Sequence, residues 1–240
     1  MRTRGATAAV LLAVMLAACT PSRAEPPALP SPTASPTPTA TTDPTDPDVL
    51  RATGTPVASG AVALTVVPPG TDVRTDDDGS AHVTAPGEAL VVAPVGMTLT
   101  ALADGSAVVR DAGGVFVGGL VTEPRGAGLS QVGPEVLRLD TGSAGLWFTT
   151  AVVLGAVWGE AEGGRSLAVT PSAWARAGSQ AAQEGLWAQV VALAPDADSP
   201  GMQAQLECHE LGAPDKATWN LEPWRPEVGL VEMITARCNP

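Results

Sequence analysis

The 240-residue sequence predicts an α+β fold, an N-terminal antiparallel β module followed by a small disulfide-closed α+β module. Three observations predict it. Between residues 57 and 155, short apolar stretches alternate with Gly-bearing turns such as PPG, DDDG, APG, ADG and DAGG, the pattern of hairpins. Beyond 155 the apolar period lengthens to that of helices. All six tryptophans lie between Trp147 and Trp224, which places a compositional boundary near residue 155.

Taken from the start, MRTR supplies Arg2 and Arg4, and residues 6–18 are an apolar run ending in small residues. This is the layout of a signal peptide, too short to span a bilayer as a helix. Its exit, Leu16-Ala17-Ala18-Cys19, resembles the lipobox of bacterial lipoproteins. The resemblance implies cleavage before Cys19 and acylation of its thiol, with two acyl chains enough for stable anchoring. The expected localisation is therefore the cell membrane, lipid-anchored and facing outside the cytoplasm. Residues 19–56 read as a Pro- and Thr-rich disordered tether. Its Ser and Thr residues are either bare or O-glycosylated. One lysine, one isoleucine and no tyrosine, against abundant Ala, Gly, Pro and Val, fit GC-rich codons and an actinobacterial source.

In the β module, AVALTVV (61–67) places Val62, Leu64 and Val66 on one face. DGSAHV at 78–83 returns as DGSAVV at 104–109, as two hairpins of one meander would. The run LWFTTAVVLGAVW (146–158) is apolar enough for a core strand or a strand pair broken at Gly155. Thr170-Pro171 then reads as an N-cap with proline at the first helical position. The helix from 171 to 194 carries Leu186, Val190 and Leu193 on one face, and Gly178 and Gly185 weaken it enough to divide it in two. A further helix starts at Ser199-Pro200 and stops at Gly212. The closing VGLVEMITARC reads as a short strand.

The chain carries 13 basic against 25 acidic residues, a net charge of −12. Removing residues 1–18 leaves 11 basic residues and −14. With no basic cluster to offset this, nucleic acid is excluded as a partner. If Cys19 carries lipid, Cys208 and Cys238 are an even pair in an oxidising compartment, for which a disulfide is the default. Closing that loop contributes roughly 3–4 kcal/mol in the chain-entropy account. A Cys208–His209 nucleophile is the alternative, but neighbours on a helix point about 100° apart.

GGRSLAVTPSAWAR, SPGMQAQLECH, KATWNLEPWRP and the closing RCNP resemble an uncharacterised domain family of actinobacterial lipoproteins, over about residues 158–240. The resemblance implies a secreted domain with a cysteine pair, and no activity. Read by its residues, WNLEPWRP is open to two interpretations. Trp219 and Trp224 are walls of a ligand platform with Asn220, Glu222 and Arg225 as polar contacts, or they plug a small core while Glu222 or Arg225 pairs internally. Arg225 is expected at the surface, since Glu222 is the only acid near it in the motif. His209, with Asp215 or Glu222, is a candidate general base, or a helix-end histidine bonded to a carbonyl. Lys216 and Arg165 are candidate anion contacts. No metal-ligand spacing occurs, and neither metal nor cofactor is expected.

VLRLDTGSAGLW (136–147) is similar to the first catalytic turn of pepsin-like aspartic peptidases, with Asp140 as the acid. That family needs a second aspartate to share the proton, and DTG occurs once here. A hairpin turn explains it more simply. The expectation is thus a non-catalytic envelope lipoprotein that binds a glycan, lipid or protein. It is expected to be a monomer, attached to the membrane through Cys19. The alternatives are an envelope hydrolase centred on His209 and the 215–225 loop, and an aspartic peptidase through Asp140.

Overall fold

The computed structural model describes residues 43–85, 87–126, 128–140 and 145–240. Cys19 and the apolar run before it lie outside the described residues, as do Thr141 and Gly142 of the DTG turn. The described residues belong to one compact unit, 42–240, and the fold is α+β.

The chain enters through α1 (Pro47–Thr53), where a tether was expected. The Asp-Pro step has a local cause for being helical. Asp46 caps the helix, its carboxylate accepting from the amides of Asp48 at 2.9 Å and Val49 at 3.3 Å, and Pro47 occupies the first turn. Leu50 is buried beside Val92 and Val136. Arg51 donates to the Ala93 carbonyl at 2.8 Å.

Strands β1 (Thr55–Ser59), β2 (Val62–Val67), β3 (Asp72–Thr75), β4 (Ala81–Thr84), β5 (Ala89–Val92), β6 (Thr98–Ala101) and β7 (Ser106–Arg110) follow. After them come β8 (Phe116–Glu123), β9 (Leu129–Gly133), β10 (Val136–Leu139) and β11 (Gly145–Thr149). They form two antiparallel sheets, ordered β1-β2-β5-β10-β9 and β3-β4-β11-β8-β7-β6. The sheets pack face to face. Val57, Leu64, Val66, Val91 and Leu137 from the first meet Val83, Val109, Leu120 and Phe148 from the second. The alternation in β2 falls as its sequence predicts, with Val62, Leu64 and Val66 buried.

A third sheet holds β12 (Val153–Ala161), β13 (Gly164–Pro171) and β14 (Trp219–Leu221). The run 146–158 is thus split between two sheets, and the break falls at residues 150–152 rather than at Gly155. Gln189 holds that break: its carboxamide accepts from the amides of Val152 and Val153 and donates to the Thr150 carbonyl. Between β12 and β13, Glu162 and Gly163 both take positive φ, 52° and 90°, as a two-residue hairpin turn demands.

Helices α2 (Ala173–Arg176), α3 (Gln180–Leu193), α4 (Pro200–Gly212) and α5 (Leu230–Thr235) complete the chain. The N-cap of α2 is Ser172, not Thr170, because Thr170 and Pro171 are still paired with β12. The division of the predicted 171–194 helix falls at Gly178, whose φ is 71°. Gly185 does not break α3. A Cβ there would lie 2.5 Å from the Phe116 ring, and one at Gly119 would lie 2.5 Å from Trp174. The two glycines let the helical layer sit directly on β8. A second core results, in which Val108, Phe116 and Val121 share contacts with Trp174, Leu186, Val190, Leu206 and Trp219. This core joins the two regions that the sequence distinguishes on either side of residue 155. No helix of the described residues is long and apolar enough to cross a membrane.

The end of the chain is helical where a strand was expected. Six residues as a strand would reach about 20 Å; as a helix they span about 9 Å. The shorter path, with Arg237 and Cys238 at φ of 54° and 70°, returns Cys238 to Cys208.

Candidate functional site: an apolar groove at the disulfide

Helix α4 begins at Ser199, whose hydroxyl accepts from the Met202 amide at 3.4 Å, with Pro200 in its first turn. One face turns into the second core through Met202, Leu206 and His209. Ala204, Cys208 and Leu211 fall on another side, and α5 crosses there. The Cys208–Cys238 disulfide, with Cα atoms 5.5 Å apart, ties the two helices. Met233 is 2% exposed against it.

The segment between α4 and β14 is held by carbonyl contacts. Arg176 donates to the carbonyls of Pro214, Lys216 and Ala217, and the Trp219 indole donates to that of Ala213 at 2.9 Å. Between this segment and α5 lies a groove of about 930 Å³. Its floor is Cys208, Met233, Cys238 and Val228, all in one small apolar cluster. Leu211, Leu230 and Ile234 line it while 71%, 68% and 60% exposed. Lys216, Arg237 and Glu207 also border it.

Of the two interpretations of WNLEPWRP, packing describes most of its residues. Trp219 is fully buried in the second core. Glu222, 1% exposed, accepts from Arg225 and from the Ser166 hydroxyl, while its backbone is clasped by Gln205: Glu222 N to Oε1 at 2.9 Å, Nε2 to the Glu222 carbonyl at 3.0 Å. Arg225 was expected at the surface, yet its side chain is only 7% exposed. The missing acid is Glu162, brought in by the β12–β13 hairpin, and the Pro240 carbonyl takes a further bond at 3.1 Å. Burial works to lower the Arg225 pKa, and Glu222 and Glu162 overcome it, holding it above its ordinary value. Trp224 is the exception, 46% exposed beneath the Arg225 guanidinium. Asn220 pairs with Ala168 in the third sheet and offers its carbonyl to His209.

His209 is 2% exposed, with Nε2 donating to that carbonyl at 3.1 Å. Its Nδ1 is buried with no partner among the described residues. Burial lowers its pKa to about 4, helped by Lys216 and Arg225 and opposed by the Asn220 carbonyl. The ring is a neutral wedge between α4 and β14, shut off from any substrate and so unsuited to a general base. Its neighbour Glu210, 6% exposed, is pushed up to about 7 by burial and by Glu207, against a hydrogen bond with Gln183. Arg165 is likewise engaged, with Asp196 at 2.9 Å and over the Trp158 ring. Asp140 follows β10, its amide donating to the Gly128 carbonyl at 2.9 Å. Of the anion contacts named from the sequence, only Lys216 borders the groove. The signal that sequence reading missed was the apolar content of Leu211, Leu230 and Ile234. A short run of that kind reads equally as a strand or a helix.

These features define an α+β protein with a β-sandwich, a covering helical layer and a disulfide-tied groove on the far end of that layer. Residues 153–240, from β12 to the last residue, match the family described as "Protein of unknown function (DUF2599)". An uncharacterised protein of Mycobacterium tuberculosis strain H37Rv is 48% identical over 83 residues, covering 31% of this chain and 56% of the relative. A Mycobacterium bovis protein matches to the same extent. One from Mycobacterium leprae is 44% identical over 64 residues, 25% of this chain and 52% of the relative. The chain thus spans about half the length of the curated relatives it matches. No solved structure matches.

Proposed function

We propose that this chain is a membrane-anchored extracytoplasmic lipoprotein whose folded part binds an envelope ligand without catalysis, in the groove between α4 and α5. The observation that carries the reading is the groove itself. It is concave, largely apolar and bordered by a few charged groups, and its volume falls in the range of about 300–1,000 Å³ usual for small-molecule sites. The anchoring half rests on Arg2, Arg4, the apolar run 6–18 and the Leu16-Ala17-Ala18-Cys19 exit. A disulfide is also at home in an oxidising compartment. Residues 19–46 would then be the tether, and the partners an envelope lipid or amphiphile together with the membrane that holds Cys19. The hydrolase reading loses its support, because its proposed base is buried and bonded to a carbonyl.

Two measurements test the two halves. Metabolic labelling with an alkyne fatty acid should mark the wild-type protein and not Cys19→Ser; equal labelling would refute lipidation at that cysteine. The exported Cys19→Ser chain should enhance the emission of a polarity-sensitive naphthalene dye, and Ile234→Asp should abolish the enhancement. An undiminished signal in Ile234→Asp would place the apolar site elsewhere.

A further inference from the structure

We infer that the groove ligand is an anionic single-chain amphiphile, a long-chain carboxylate, with its chain along Leu211, Leu230 and Ile234 and its head between Lys216 and Arg237. This rests on the reading of the groove as a ligand site and specifies what the site selects.

The argument is one of charge. The protein carries a net charge of −12, so acids are available to nearly every cation. Among the described residues there are nine arginines and one lysine. Arg51, Arg74, Arg110, Arg138, Arg165 and Arg225 each pair with a carboxylate. Arg125 and Arg176 donate to backbone carbonyls. Lys216 and Arg237 do neither with any described residue, and these two both border the apolar groove. Random placement of two free cations on an acidic surface would not be expected to put both beside the same exposed leucine and isoleucine side chains. An apolar channel with free positive charge at its edge is complementary to a chain with a negative head. Long basic side chains also suit this position, since their methylene stems extend the apolar wall while their heads stay in water.

The shape favours one chain over a membrane surface. Bilayer docking calls for an amphipathic helix lying flat, with a broad apolar face. Here α5 has six residues and the apolar surface is concave, its floor made by the disulfide and Met233. Glu207 also borders the groove, and its carboxylate repels an anionic head placed beside it, which leaves the two cations as the head's place.

The test uses the exported chain carrying Cys19→Ser and three fluorescent probes of one chain length, ending in a carboxylate, an alcohol or a trimethylammonium group. The carboxylate is expected to bind about tenfold more tightly than the alcohol at low salt, and the ammonium least. High salt should shrink that preference. Lys216→Gln/Arg237→Gln, which removes both charges and keeps most of each stem, should lose the preference for the carboxylate over the alcohol; both residues are exposed, and unchanged melting would show that the variant folds. Equal affinity for all three probes would overturn the carboxylate assignment and leave the groove standing as a ligand site. Binding of none of the three, with no dye enhancement, would overturn both. Adsorption to phosphatidylglycerol vesicles with no capture of the monomeric carboxylate would overturn the assignment in favour of bilayer docking.

Discussion

The hairpins β3–β4 and β6–β7 share the turn sequence DGSA and stand at opposite sides of the same six-stranded sheet. Their local structures agree. In each, the Asp accepts from the Ser amide two residues on, Ser80 at 2.9 Å and Ser106 at 3.0 Å. In each the Gly takes a φ of 80°. Ala81 and Val83 face the sandwich core, as do Ala107 and Val109. The difference lies in what covers them. Asp104 also accepts from the Gln180 amide at 2.7 Å, and the Ser106 hydroxyl accepts from the Ala181 amide at 3.2 Å. The second turn therefore caps α3, and its outward Val108 is fully buried under the helical layer. Burial works to raise the Asp104 pKa, but the bonds from Ser106 and Gln180 prevail and hold it below its ordinary value.

At the first turn no helix of the described residues arrives. The Ser80 hydroxyl is buried with no partner among the described residues, and the residue matching Val108 is His82. Its ring stacks on Trp147 with centroids 4.9 Å apart, with Nδ1 2.9 Å from Glu123 and Nε2 3.1 Å from Asp76. An identical turn is thus a helix cap at one place and a bare bend at another. The outward residue suits its cover, apolar under a helix and polar where the face is open.

Removing the cover should have the largest effect. Trp174 fills the space above Gly119, and Trp174→Ala should cost about 3–5 kcal/mol, lowering the melting temperature by roughly 6–20 °C. Thermal unfolding within a degree or two of wild type would mean that the helical layer does not depend on this ring. Val108→His gives the covered hairpin the residue of the open one. It should cost about 2–4 kcal/mol in urea unfolding, because an imidazole without partners is shut in an apolar core. A neutral outcome would break the comparison, since it would show that the cover tolerates either residue.

Two covered groups on α4, His209 and Glu210, add a pH dependence. His209 is covered, with a folded pKa near 4 against an ordinary 6.5. The unfolded chain takes up the proton first, so stability falls as pH drops from about 6.5 and the loss is complete below about 4. Glu210 works in the opposite sense. Raised to about 7 from 4.5, it favours the fold at low pH, and that contribution is lost as pH rises from 4.5 through 7. The two slopes offset one another in the wild type between about 4.5 and 6.5. His209→Gln should expose a decline with rising pH, and Glu210→Gln a rise, each on the order of 1–3 kcal/mol across its window. Urea titrations at several pH values read both, and parallel profiles for the two variants would refute the assignment.

The smallest effect separates the two serines. Ser106→Ala removes a bond to α3 and should cost about 1 kcal/mol. Ser80→Ala removes a hydroxyl with no partner and should be neutral or slightly stabilising. Equal losses in matched urea unfolding would mean that the turn, not the helix, uses the hydroxyl.

What the sequence by itself determined is what a few neighbouring residues can settle. The DGSA turns, the alternation through Val62, Leu64 and Val66, the Ser199-Pro200 helix start and the division at Gly178 are set by backbone conformation and side-chain bonds within one turn of chain. The pairing of Cys208 with Cys238 was also expected, on the premise that Cys19 carries lipid. What only the tertiary structure decided is cover, because burial depends on partners far along the chain. Trp219 and Trp224 sit five residues apart in one motif, yet one is core and the other half open, according to whether the second core or solvent lies beside them. Arg225 became buried because a hairpin turn at Glu162 supplied the second carboxylate. Gly185 was misread as a helix breaker because its reason is the Phe116 ring. Residues 47–56 and 230–235 were misassigned because short segments take their structure from where they must end: Leu50 in its pocket, Cys238 at Cys208. The groove exists only after that last constraint is met, when the disulfide lays α5 across α4 and leaves Leu211, Leu230 and Ile234 facing a common space.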